Sequence, residues 1–123
     1  MTRLLAVLAA LAFAVAGSLA ARAHAARPVP ARVFVNAKEW SLILSRQSLR
    51  AGHARIQLFN GGEDAHDLRL RRIGGTRTLA IGETAPGAVT ELRAILRPGK
   101  WRLWCSLPGH AKAGMRATLT VRP

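Results

Sequence analysis

The sequence predicts an all-β fold, a sandwich or barrel of seven or eight strands in a single domain. Apolar residues occur in short runs without a sustained helical period, and Gly, Pro and Asn separate the runs. Turn signals at this spacing are typical of small β-sandwiches. The length of 123 residues allows one domain. The predicted strands are Arg32–Asn36, Trp40–Ser45, Arg55–Asn60, His66–Ile73, Thr76–Ile81, Val89–Leu96, Lys100–Cys105 and Met115–Val121.

Each predicted strand contains an apolar run, and turn residues separate most strands from the next. The first two strands are rich in Val, Phe, Leu and Ile, and Gly52 precedes the third. The later boundaries are marked, in order, by Gly61-Gly62, Gly74-Gly75, Pro86-Gly87, Pro98-Gly99 and Pro108-Gly109.

The first 25 residues are predicted to be a secretory signal peptide. Arg3 gives a short positive start, the apolar run Leu4–Ala16 follows, and small-x-small sites precede Ala26. An uncleaved membrane anchor is the alternative, because the apolar segment is just short of the about 20 residues that span a bilayer. Residues 26–31 contain two prolines and are predicted to form an extended linker. Residues 32–123 are predicted to form the folded domain.

Strand alternation predicts three potential metal ligands on core-facing positions at strand ends, because successive side chains point to opposite faces. His66 shares a face with Leu68 and Leu70 at the start of its strand. Cys105 ends the apolar face of its strand, and Met115 begins that of the last one. Chance phasing would rarely place all three inward, so the pattern indicates a shared site.

Cys105, His110 and Met115 follow one another with four residues in each spacer. Five helical steps turn the chain by about 500°, far from a whole number of turns, so a helix could not align them. A straight strand would put Cys105 and His110 on opposite faces. A tight loop is required, and Leu107-Pro108-Gly109 supplies its turn residues. His66, inward-facing and distant in sequence, is the natural fourth ligand.

The types of ligand in this set favour copper. Zinc prefers Cys, His and carboxylate, and a thioether suits it poorly. A trigonal arrangement of one thiolate and two imidazoles, with a weak axial Met, is the blue-copper pattern. The single Cys of the chain also excludes an internal disulfide, a four-thiolate zinc site and an iron–sulfur cluster held by this chain alone.

The stretch Leu96–His110, followed by Met115, resembles the C-terminal motif of the cupredoxins, the family that includes plastocyanin and azurin. Its four-residue spacers are more similar to those of rusticyanin and auracyanin. The segment Gly52–Asn60 followed by His66-Asp67 resembles the family's first-ligand region. The resemblance implies a Greek-key β-sandwich or barrel. It also implies one type 1 copper ion bound by His66, Cys105, His110 and Met115.

Asp67 departs from the family pattern. Many cupredoxins carry Asn or Ser directly after the first His ligand, where this residue ties the two ligand loops together. Strand alternation predicts that the side chain of Asp67 points away from the core, which leaves the ligand set intact. The sequence alone does not show whether Asp67 also joins the two ligand loops.

The resemblance also implies how partners bind. His110 is expected near the surface, surrounded by the apolar loop residues Leu107, Pro108 and Ala111, and redox proteins are expected to dock there. The net charge is +13, and removal of the predicted leader with Arg3 and Arg22 lowers it to +11. This charge favours acidic partners or an anionic membrane surface.

Nucleic-acid binding is not predicted, because the arginine-rich segment lacks interleaved aromatic residues and zinc-finger spacing. We expect a monomer in the periplasm or outside the cell. It would bind one copper ion and transfer single electrons between redox partners.

Two other functions remain open, namely copper delivery or storage for an oxidase and a copperless cupredoxin-like module. An enzyme is not predicted. Multicopper oxidases place His on both sides of the equivalent Cys, where this chain has Trp104 and Ser106. A two-copper site needs a second Cys, and no nucleophile–His–acid set or paired carboxylates are apparent.

Overall fold

The computed structural model describes residues 25–123, which form two β-sheets packed face to face and one short helix. The predicted signal peptide lies outside the described residues except for Ala25. In chain order, the elements are β1 (Ala31–Lys38), β2 (Ser41–Leu44), β3 (Ser48–Arg50), β4 (Gly52–Asn60), β5 (His66–Arg72), β6 (Thr78–Thr84), β7 (Val89–Leu96), β8 (Gly99–Trp104), α1 (His110–Ala113) and β9 (Arg116–Arg122). No helix among residues 25–123 has the length and hydrophobicity to cross a bilayer.

The smaller sheet has the strand order β2-β1-β4-β7, and the larger sheet has the order β3-β9-β8-β5-β6. Two pairings are parallel, β1 with β4 and β3 with β9, and the others are antiparallel. Strands that are distant in sequence are therefore neighbours in both sheets. In the larger sheet, β8 lies between β5 and β9, which brings the ends of these three strands together.

The core lies between the sheets, and alternating residues of the strands fill it. Val33, Val35 and Ala37 of β1 are buried from one side, and Leu68 and Leu70 of β5 from the other. Full burial of a Val or Leu side chain contributes about 1.5–3 kcal/mol, so this apolar layer is the main source of stability. It holds the sheets in fixed register and fixes the strand ends.

The predicted all-β sandwich is confirmed, with nine strands in the described part of the chain instead of seven or eight. The predicted bounds of β7 match the structure, and the other predicted strands differ at their ends. The sequence prediction missed β3, which has three residues and a single apolar side chain, Leu49. It also missed α1, because a helix of one turn is too short to show a helical period.

Asp67 is buried, with only 2% of the residue exposed, although strand alternation predicts that its side chain points away from the core. The antiparallel register of β5 and β8 pairs Arg69 with Trp104, and two further steps place Asp67 opposite Ser106. The backbone N–H of Ser106 donates a hydrogen bond of 2.6 Å to Oδ1 of Asp67. Ser106 and Arg69 therefore cover a side chain that alternation places away from the core.

Candidate metal centre

Four predicted ligands lie at one end of the larger sheet. His66 is the first residue of β5, Cys105 directly follows β8, His110 is the first residue of α1, and Met115 directly precedes β9. The β8–β9 ladder ends with Trp104 opposite Arg116. Because β8 pairs with β5 on its other side, the topology brings His66 to the same end.

Three of the four side chains converge closely. Nδ1 of His66 lies 3.2 Å from Nδ1 of His110, and Sγ of Cys105 lies 3.6 Å from the same His110 atom. One donor atom from each of the three residues lies within 4.8 Å of the other two. His66 and Cys105 are buried, and His110 is partly exposed. Three donors this close can bind one metal ion.

Met115 is buried beside this cluster, and its backbone belongs to the same loop. Its carbonyl accepts a hydrogen bond of 3.1 Å from the N–H of Cys105, and its own N–H donates one of 3.1 Å to the carbonyl of His110. These bonds fix the main chain at all three positions. Coordination by the Met115 sulfur stays a prediction.

The loop from Cys105 to Met115 contains the turn that the sequence predicts. The His110 N–H donates to the Leu107 carbonyl at 3.1 Å, and Gly109 adopts a left-handed conformation with φ of 80°. Gly114 ends the loop with φ of 134°, and a Cβ at this position would lie 2.6 Å from the Trp40 carbonyl oxygen. Glycine is required there because its backbone passes too close to the β1–β2 turn for a side chain.

Comparisons with known proteins identify the architecture. No protein-family model and no curated protein matches the sequence. Among solved structures, auracyanin B matches with a TM-score of 0.62 and 23% identity over 78% of this chain and 92% of its own. A Cu(I) amicyanin variant matches at 0.53, with 14% identity over 74% of this chain and 82% of its own. The chain has the cupredoxin fold.

A multicopper oxidase also matches, with a TM-score of 0.54 and 15% identity. The match covers 74% of this chain but only 43% of the oxidase. Identities this low establish the shared fold, and function has to be argued from the residues of this chain.

Glu39 completes the surroundings of His66 and was not predicted from the sequence. Its Oε1 lies 2.8 Å from Nε2 of His66 and also accepts backbone N–H bonds from Glu63 and Asp64. The Asp64 N–H bond is the largest cause that lowers the pKa of Glu39 to about 2. The ionised carboxylate can only accept a hydrogen bond, so the Nε2–H of His66 donates to it and the Nδ1 lone pair is left free for a metal. An isolated Glu in a turn carries no sequence signal for this role.

Asp67 forms the tie between the two ligand loops that the sequence left open. Besides the bond from the Ser106 N–H, its carboxylate accepts one from the Ser106 hydroxyl and one of 3.2 Å from Arg69. Burial alone would raise the pKa of Asp67, but the two Ser106 bonds, the Cys105 side chain and the charge of Arg69 together hold it below its usual value. An ionised Asp67 therefore links the residue after His66 to the residue after Cys105.

The thiol of Cys105 is buried, and this burial raises its pKa. Without a cation nearby, the sulfur therefore keeps its proton at neutral pH. A metal ion bound by the two imidazoles would reverse this preference, because a coordinating thiol loses its proton. Metal binding at this cluster would thus be coupled to release of one proton.

The three tryptophans differ in their surroundings. Trp101 is buried and donates from Nε1 to the Arg97 carbonyl at 3.0 Å, so it packs in the core. The Trp40 ring contacts the His110 ring edge-to-face, with centroids 4.8 Å apart, and 45% of Trp40 is exposed. Trp104 is partly buried on the outer face of the larger sheet.

Proposed function

We propose that this protein is an exported blue-copper protein that binds one copper ion and transfers single electrons between redox partners. The convergence of Nδ1 of His66, Nδ1 of His110 and Sγ of Cys105 is the observation that carries the proposal. Met115 is proposed as the weak fourth ligand, because it is buried in the same loop. The predicted signal peptide supports export.

The donor set fits copper. One thiolate and two imidazoles match the trigonal type 1 pattern, and a thioether is a better fourth ligand for copper than for zinc. The Glu39 carboxylate orients the His66 ring so that Nδ1 faces the other donors. Bound copper would supply a one-electron redox couple.

The residues around the ligands suit an electron carrier because they restrict movement. Glu39 holds the His66 ring, and Asp67 joins the residue after His66 to the residue after Cys105. The backbone bonds of Met115 connect it to both Cys105 and His110. Donors that are held in one arrangement need little rearrangement when an electron arrives or leaves. Copper delivery would instead require the ligands to open, and this hydrogen-bond network opposes opening.

We propose that redox partners approach the site at His110, the partly exposed ligand. The exposed Trp40 ring contacts it, and the apolar residues Leu107, Pro108 and Ala111 belong to the same loop. The net charge of the predicted mature chain favours acidic partners. We propose no enzymatic activity, because Trp104 and Ser106 stand where a multicopper oxidase needs His beside the Cys.

Addition of Cu(II) to the purified chain of residues 26–123 tests the function. We expect an intense visible thiolate-to-copper band in the wild type and loss of that band in Cys105→Ser. Redox cycling followed by metal analysis then separates a carrier, which keeps its copper, from a delivery protein, which releases Cu(I) to a chelating acceptor. A colourless wild type, or a Cys105→Ser variant that stays blue, would contradict the proposal.

A further inference from the structure

The outer face of the larger sheet carries a cluster of arginines. Strand pairing places Arg71 of β5 beside Arg102 of β8, and Trp104 of β8 beside Arg116 of β9. Arg71, Arg102 and Arg116 are exposed. This cluster depends on pairing across three strands, which one sequence does not reveal.

These residues surround a shallow groove of about 450 Å³, which we call the arginine groove. In the part of the chain that the structure describes, none of the lining side chains is acidic. The lining residues are Arg71, Arg72, Ile73, Gly74, Gly75, Arg102, Trp104, Ala111 and Arg116. The groove therefore concentrates positive charge around three apolar side chains, Ile73, Trp104 and Ala111.

The arginine groove lies next to the candidate metal centre. Trp104 directly precedes Cys105, and Ala111 directly follows His110. The guanidinium carbon of Arg71 lies 5.8 Å from the centre of the Trp104 ring, which is within the range of a cation–π contact. A partner that fills the groove would thus contact residues bonded to two of the proposed ligands.

We propose that the arginine groove is a docking surface for an acidic redox protein, a proposal that rests on the electron-carrier function. Arginine forks bind carboxylates in a bidentate manner and are enriched at protein interfaces. A protein loop with acidic side chains can enter a concave groove, whereas a flat bilayer would contact only its rim. A single tryptophan is too few for the stacked aromatic platform that single-stranded nucleic acid needs.

Titration with an oligoglutamate peptide, followed by backbone NMR shifts, tests the proposal. The test variant combines Arg71→Gln, Arg102→Gln and Arg116→Gln. The control combines Arg32→Gln, Arg50→Gln and Arg122→Gln, which removes the same charge from exposed positions that do not line the groove. We expect the wild-type shifts to concentrate in the groove, and the test variant to bind about tenfold more weakly. The control is expected to bind within about threefold of the wild type.

Equal losses in the two variants, or shifts spread over the whole surface, would show non-specific charge attraction and overturn the proposal. Groove-dependent binding to vesicles of phosphatidylcholine and phosphatidylglycerol, without any peptide binding, would also overturn the proposal, because it would indicate that the groove binds a membrane surface. The titration is run on metal-free and copper-treated protein. If the peptide binds in the groove but the copper-treated protein shows no visible band, the electron-carrier function is overturned and the docking surface is supported.

Discussion

Single side chains around the ligands determine how the candidate centre is held. Glu39 and Asp67 are two of only 6 acidic residues in the chain, and each contacts the site from a different side. Glu39 accepts a hydrogen bond from the His66 ring, and Asp67 joins the backbone after His66 to Ser106. The four proposed ligands were predictable from residue type and spacing. These two supporting carboxylates were not, because their roles depend on chain segments that meet only after folding.

Replacement of Glu39 by Gln should raise the reduction potential of the copper-loaded protein, on the order of tens of millivolts. The negative charge beside His66 favours the more positive Cu(II) state, and its removal favours Cu(I). Cyclic voltammetry measures the shift. Glu63→Gln is the matched control, because the Glu63 side chain is exposed and only its backbone N–H contacts Glu39. Equal potentials in the wild type and Glu39→Gln would contradict this role.

Short connecting elements position the ligands more than the long strands do. The strands and the core could be predicted because alternation and turn residues persist over several positions, as in β7. The one-turn helix α1 and the three-residue β3 could not, because neither is long enough to show a period. The contact between Gly114 and the β1–β2 turn also joins distant segments, so no local pattern reveals it.

Gly114→Ala should destabilise the protein by about 2–4 kcal/mol, since it combines an unfavourable backbone angle with a steric clash. Its φ is 134°, and the added Cβ would meet the Trp40 carbonyl oxygen at 2.6 Å. Gly87→Ala is the control, because its φ is 77° but no atom lies within 4 Å of the added Cβ. We expect Gly87→Ala to lower the free energy of unfolding by about 1–2 kcal/mol.

Urea denaturation of both variants measures these costs. The visible spectrum of copper-treated Gly114→Ala should also change, because Gly114 directly precedes Met115. Equal stabilities of the two variants would show that the close approach to Trp40 has no energetic role.

In the molecule as a whole, 19 basic residues outnumber 6 acidic residues, so each ionised carboxylate stabilises the folded state. Glu39, Asp67 and Glu91 all have a pKa below the usual value. The hydrogen bond from Arg55 is the largest cause at Glu91, which joins β7 to β4. The stability of both sheets and of the candidate site therefore depends on pH through these three carboxylates.

The metal-free protein should lose stability as the pH falls from about 4.5 towards 2. The pKa of Glu39 falls from 4.5 to about 2 on folding, and those of Asp67 and Glu91 also fall. The unfolded chain therefore takes up protons at a higher pH than the folded chain, and protonation favours unfolding. Above about pH 5 these carboxyls are ionised in both states and the contribution is fully present.

Urea denaturation at a series of pH values and constant ionic strength measures this loss. A double variant, Glu39→Gln with Asp67→Asn, should be less stable at pH 7 and show a shallower decline below pH 4.5, because two of the linked carboxyls are absent. Glu83→Gln is the control, since Glu83 is exposed and its carboxylate makes no hydrogen bond within residues 25–123. A double variant with the same decline as the wild type would assign the acid sensitivity to general charge repulsion among the basic residues.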